Sequence, residues 1–147
     1  MTSIQEISRD NISAIAHLAT QLWPDTNTDE MFEHFEEVLL ADHPTAFLLL
    51  QNQNPIGFIE LSVRQDYVEG AEDMPVAYIE GIYVDNVYRK KGLAIQLIHK
   101  AEQWARSQGY TQLCSDSELA NTGSIIFHQK AGFEEVGRIV CFVKNLN

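Results

Sequence analysis

The chain has 147 residues, with ten Lys or Arg against twenty-one Asp or Glu, a formal net charge of -11 and a pI near 4.7. This length suits one compact domain, since domains cluster at about 100–150 residues, and its 45% hydrophobic and 21% charged content excludes an intrinsically disordered chain. The acid excess argues against nucleic acid as the main ligand, because that affinity comes from Lys and Arg neutralising phosphates, and it favours a cationic partner.

Ile12, Ile15, Ala16, Leu18, Ala19 and Leu22 recur at helical spacing after the potential cap Asp10, which predicts a first helix ending at about Trp23 before Pro24. An acidic second helix is expected over 29–41, with Met31, Phe35, Val38 and Leu39 on one face. Residues 46–51 and 56–63 are strand-like, and Asn52-Gln53-Asn54-Pro55 between them predicts a hairpin. Residues 66–74 are acidic and carry Gly70, as a surface loop does. The run 76–84 reads as a long strand interrupted by Gly81, and an interior strand glycine marks a bulge or a close backbone approach. A helix over 95–106, a short strand over 111–115, a helix over 122–131 capped by Asn121 and a terminal strand over 139–144 complete the pattern. The alternation predicts an α+β fold, a mixed sheet with helices in a single domain over 1–147.

No stretch approaches the roughly 20 apolar residues of a membrane span, and residues 1–9 hold no apolar segment that would serve as a signal peptide. Cys114 and Cys141 sit in apolar runs without metal-site spacing, so they are expected to be buried free thiols in a reducing cytoplasm. His17, His34, His43, His99 and His128 are dispersed, and no metal site is expected.

The most informative span is Tyr88-Arg89-Lys90-Lys91-Gly92-Leu93-Ala94, between the long strand and a helix. Gly92 permits a tight turn, the small Ala94 permits close approach, and the first-turn N–H groups of the helix face an anion. Arg89, Lys90 and Lys91 form the only run of three basic residues in the chain. The heptad alone reads equally as an ordinary solvated turn; its place after a glycine-interrupted strand favours a phosphate cradle.

With those residues the sequence resembles the GCN5-related N-acetyltransferase (GNAT) superfamily, whose pyrophosphate loop follows Gln/Arg-x-x-Gly-x-Gly/Ala. Arg89, Gly92 and Ala94 fit the pattern, and the resemblance extends to the interrupted strand, Asn121 and Gly132-Phe133. Across nearly the whole length, Gln21-Leu22-Trp23-Pro24, Ala41-Asp42-His43, Ile56-Gly57-Phe58, Asp66-Tyr67-Val68, Ile79-Glu80-Gly81-Ile82 and Ser115-Asp116 resemble the aminoglycoside 6'-N-acetyltransferases (type I) of Gram-negative bacteria.

The resemblance implies a central, mostly antiparallel sheet with a bulged central strand and about four helices. It implies acetyl-CoA as co-substrate, no metal, a homodimer and direct transfer to a primary amine. The backbone of Ile82, Tyr83 and Val84 then pairs with the pantetheine arm, Arg89, Lys90, Lys91, Gly92, Leu93, Ala94 and Ile95 hold the pyrophosphate, and Asn121 contacts the pantetheine. Asn121 by itself reads as a helix cap. Trp23, Tyr67, Glu80 and Asp116 fall at substrate contacts, and Glu72 lies in the acidic loop beside them. Asp116 and Glu80 are the candidates for taking the proton of the amine, or for binding its ammonium. His128 stands where the superfamily often has the tyrosine that protonates the departing thiolate. Gly137 replaces an acidic contact of close relatives, which Glu135, two positions earlier on the same expected strand face, would supply. Competing expectations are acetylation of another amine, such as a polyamine or a protein N-terminus, and a non-catalytic acyl-CoA-binding module.

Overall fold

The computed structural model describes residues 1–147. In chain order the elements are β1 (Thr2–Glu6), α1 (Ile12–Leu22), α2 (Thr28–Leu40), β2 (Thr45–Gln51), β3 (Asn54–Arg64), β4 (Val76–Val84), a short 3-10 turn (Asn86–Tyr88), α3 (Leu93–Ser107), β5 (Leu113–Cys114) and α4 (Thr122–Lys130). The sheet order is β1-β2-β3-β4-β5, antiparallel from β1 to β4 and parallel between β4 and β5.

The β2–β3 hairpin closes through Asn52 and Gln53, both at positive φ (50° and 71°), the backbone that matches the twist of paired strands. β2 is buried on both faces, which is why it reads as a continuous apolar run. One face, with Phe47, Leu49, Ile59 and Leu61, packs on Leu97, Ile98 and Trp104 of α3. The other, with Ala46, Leu48 and Phe58, packs on Ile15, Ala19 and Phe35 of α1 and α2. Phe35 and Phe58 are fully buried with ring centroids 6.0 Å apart, and burial of each contributes about 1.5–3 kcal/mol.

Several details depart from the sequence expectations. α1 is entered through Asn11 rather than Asp10, and the Asn11 side chain does not cap the helix. Its Oδ1 accepts from the Ser8 N–H at 2.8 Å and its Nδ2 donates to the Glu6 carbonyl at 2.9 Å, tying the helix start to β1. β1 itself has no counterpart in the apolar pattern, because it is short and mostly exposed; its ladder to β2 defines it. Cys114 is half-buried and Cys141 exposed, so the two thiols are free but not both buried.

The expected terminal strand over 139–144 does not form, because a strand exists only where another strand hydrogen-bonds to it. After α4 the chain turns at Gly132 (φ 96°), and Val136 then packs against Gly70 in the β3–β4 loop. Residues 139–146 extend beyond, with Ile139, Val140, Phe142 and Val143 between 73% and 92% exposed.

β4 carries the expected irregularity. Gly81 pairs with Glu60 and Ile79 with Leu61, so Glu80 is an extra residue without a cross-strand partner. Beyond the bulge β4 also loses its other neighbour, since β5 pairs only with Ala77 and Tyr78. One edge of β4 from Ile79 to Val84 is therefore free of ladder hydrogen bonds.

Candidate functional site

The free edge of β4 leads to the basic loop. Gly92, at φ 75°, forms the N-cap of α3, which begins at Leu93, two residues earlier than its periodicity suggests. A helix leaves its first N–H groups unpaired, and here Lys90, Lys91 and Gly92 are exposed beside them. An added Cβ at Gly92 would meet nothing within 4 Å, so its role is conformational and leaves open space above the helix end. Arg89 is partly committed to the fold: its Nε donates to the Val84 carbonyl at 2.7 Å and its guanidinium lies 5.5 Å from the Tyr83 ring. An edge of backbone donors and acceptors that ends at a cationic helix N-terminus fits an extended pantetheine arm with a pyrophosphate. Asn121 heads α4, where its Oδ1 accepts from the Ser124 N–H at 3.1 Å, so it does cap the helix.

The bulge turns Glu80 and Gly81 toward the side covered by α1 and α2. Gly81 lies under Trp23, whose Cζ2 would be 2.6 Å from an added Cβ. Glu80 is gripped from β3, where Arg64 donates Nε at 3.0 Å and a second nitrogen at 2.9 Å, and Ser62 donates its hydroxyl at 2.5 Å. Burial works against its charge, yet the bonds from Arg64 and Ser62 outweigh burial and hold the carboxyl below its usual range. Arg64 also stacks 3.5 Å from the Tyr78 ring centroid, and the Tyr78 hydroxyl donates to Asp116. Burial, reinforced by that bond, raises the Tyr78 phenol well above its ordinary value.

Tyr67, Glu72, Asp116, His128 and Glu135 share the lining of a cleft of about 890 Å³ with Arg64 and Tyr78. Glu80 joins them through Arg64, while Trp23 stands over the bulge outside that lining. Tyr67 is exposed and donates to Glu69 at 2.7 Å. Glu135 is exposed, lies outside any strand, and is bound bidentately by Arg138 at 3.0 and 3.2 Å, which lowers its pKa. The position left by Gly137 is approached by Glu69, whose Oε1 would be 3.1 Å from an added Cβ. His128 has both ring nitrogens engaged: Nδ1 is 2.7 Å from the Ser124 carbonyl and Nε2 is 2.8 Å from the Ser115 hydroxyl. A carbonyl only accepts, so Nδ1 carries a proton and donates to it, while Nε2 shares a hydrogen bond with the Ser115 hydroxyl.

The grip on the two carboxylates was invisible as a motif, but its strand leaves a signal. After the apolar start of β3, the alternate positions Glu60, Ser62 and Arg64 are polar on one face, an alternation that marks a strand leaving the core and lining a cleft. Glu60 is paired with His34 of α2 at 2.8 Å.

A bulged strand with a free edge, beside a glycine-turned helix N-terminus, is suited to an extended carrier that ends in a pyrophosphate. The chain belongs to the acetyltransferase (GNAT) family, whose model matches residues 12–133. It is 36% identical to aminoglycoside N(6')-acetyltransferase type 1 of Salmonella typhimurium strain LT2, over 96% of this chain and 97% of that protein. It is 38% identical to the enzyme of the same name from Serratia marcescens, over 93% and 94%. Among solved structures, AAC(6')-Iy in complex with the bisubstrate analogue CoA-S-monomethyl-acetylneamine superposes with a TM-score of 0.94, at 34% identity and 99% coverage of both chains. The 6'-N-acetyltransferase AAC(6')-Ih of Acinetobacter baumannii gives a TM-score of 0.92 at 34% identity, over 100% of both chains.

Proposed function

We propose that residues 1–147 act as one N-acetyltransferase domain that moves the acetyl group of acetyl-CoA directly onto the 6'-amine of aminoglycosides, thereby conferring resistance to these antibiotics. The observation that carries this reading is the bulge at Glu80 and Gly81, from which the free edge of β4 runs one way while Tyr78 and, through Arg64, Glu80 adjoin the acidic cleft the other way. Acetyl-CoA lies along Ile82, Tyr83 and Val84, with its pyrophosphate over the loop from Arg89 to Ile95 and its pantetheine beside the Asn121 amide. N–H groups near the bulge polarise the thioester carbonyl. The polycationic acceptor is drawn by the net acidity of the chain and held by Glu80, Asp116, Glu72 and Glu135, with Trp23 and Tyr67 against its rings. Its neutral amine attacks the carbonyl carbon, the C–S bond breaks, and the thiolate takes a proton for which His128 is the candidate donor. The two free thiols support a reducing, cytoplasmic setting, and no helix is long and apolar enough to cross a membrane.

The test is release of CoA from acetyl-CoA with tobramycin, with paromomycin, which has a 6'-hydroxyl in place of the amine, and with spermidine. Turnover of tobramycin but not paromomycin is expected. Turnover of spermidine alone would move the function to polyamine acetylation.

The working unit in this proposal is a homodimer. Its support is the uncovered apolar arm 139–146 together with the open edge of β5, which pairs only with β4 and along which the arm of a second copy is covered. Light scattering is expected to give twice the chain mass, and a chain ending at Arg138 to give a monomer with a raised KM for aminoglycoside.

A further inference from the structure

The acceptor arrives as an ammonium and must lose a proton before it attacks. Neither carboxylate expected to take that proton is free to do so readily: Glu80 is bonded by Arg64 and Ser62, and Asp116 accepts from the Tyr78 hydroxyl. Groups bound in this way hold and orient an ammonium better than they remove its proton.

One other titratable pair faces the same side of the sheet. Glu60 is 5% exposed, and its backbone pairs with Gly81 at the bulge. A buried carboxylate needs a partner, and its side-chain partner is His34, whose Nε2 lies 2.8 Å from Glu60 Oε2. The His34 side chain is 40% exposed, and its ring edge packs on Phe35 at 4.9 Å between centroids. With Nε2–H directed at the carboxylate, Nδ1 presents its lone pair, and no protein group bonds to it. A carboxylate that fixes the tautomer of an imidazole and stabilises its protonated form is the arrangement that makes histidine an effective proton acceptor.

We propose that the His34–Glu60 pair is the proton acceptor of the transfer reaction, taking the proton of the substrate ammonium at His34 Nδ1 through intervening water and releasing it from the exposed face of the ring. The inference rests on the acetyl-transfer function proposed above. One proton passes from the ammonium to His34 and on to solvent. The neutral amine then forms the amide bond as the C–S bond breaks; its nitrogen keeps one proton and sheds the other, which balances the proton that His128 gives the CoA thiolate. Glu60 from β3, Glu80 from β4 and Glu37 on the same helix all favour the charged ring. The hydrogen bond to Glu60 is the largest effect, burial opposes it, and together they raise the His34 pKa from 6.5. The same carboxylates that hold the ring also favour its taking up a proton.

The experiment is the pH dependence of kcat with tobramycin for the full chain and for His34→Gln, whose amide still donates to Glu60 but does not titrate in this range. Both enzymes see the same substrate, so its own ionisation cancels. Removal of a general base lowers kcat about 10²-fold or more, and His34→Gln is expected to lose at least that at pH 7.5, together with the acid limb of the profile. The KM for acetyl-CoA is expected to stay unchanged. An unaltered profile in a variant that melts normally would overturn the proposal while leaving the acetyl-transfer function standing. Absence of turnover by the unmodified chain would instead refute that function.

Should His34→Gln misfold, the His34 resonances of the unmodified protein are titrated by NMR. A pKa coinciding with the acid limb, with the proton on Nε2 in the neutral form, supports the relay. A His34 that does not titrate with that limb overturns it.

Discussion

Gly81→Ala isolates the steric demand at the bulge. Gly81 is not among the residues at positive φ, so alanine meets no backbone strain, and the whole cost is the collision of one methyl group. That methyl would lie 2.6 and 2.8 Å from Trp23 Cζ2 and Cη2, and 2.9 Å from Leu22 Cδ2. Overpacking of this kind costs about 1–3 kcal/mol, and at this chain length each kcal/mol lowers Tm by about 2–4 °C. Trp23→Ala removes both of the closest atoms and leaves only the flexible end of Leu22. Gly81→Ala is therefore expected to destabilise the Trp23→Ala background by about 1–2 kcal/mol less than it does the unmodified chain. Urea unfolding of the four proteins at one protein concentration measures this, since association contributes to apparent stability. In the single variant the displaced Trp23 is also expected to raise the KM for aminoglycoside more than that for acetyl-CoA. If the two substitutions add within about 0.5 kcal/mol, Trp23 does not fill the space above Gly81, and the reasoning fails.

Two further outcomes follow from the same geometry. The pKa of Glu80 is held below that of the unfolded chain, near 4.3, so its contribution is present above that value and lost as pH falls through the lower folded value; Glu80→Gln should flatten the loss of stability on acidification below the unfolded value, and urea midpoints that fall as steeply as those of the unmodified chain would contradict the grip by Arg64 and Ser62. Gly92→Ala places a side chain at φ 75° with no atom within 4 Å, so it costs only the backbone strain of about 1–2 kcal/mol; calorimetry is expected to show weaker CoA binding, with the KM for aminoglycoside unchanged, whereas undiminished CoA binding would detach Gly92 from the cradle.

Local pattern determined a great deal about this protein. The spacing of Ile12 to Leu22, the Asn-Gln turn, the run 76–84 and the glycine before Leu93 each encode an element through nearest-neighbour chemistry, so helices, hairpin, bulge and loop were legible in order. Tyr67, Glu72, Asp116, His128 and Glu135, singled out by resemblance and scattered along the chain, come to line one cleft in the folded structure. What the pattern could not supply is what depends on partners distant in sequence. β1 exists because β2 offers it an edge, and 139–144 is apolar and strand-like in sequence yet exposed and unpaired in the fold. The same holds for side chains. Glu80 reads as a lone carboxylate until Arg64 and Ser62 close on it from the neighbouring strand, and Glu60 reads as one until α2 lays His34 against it. A charge within an apolar strand announces from sequence alone that it needs a partner; which partner it finds, and so whether it binds a cation or handles a proton, is decided only when the strands and helices pack.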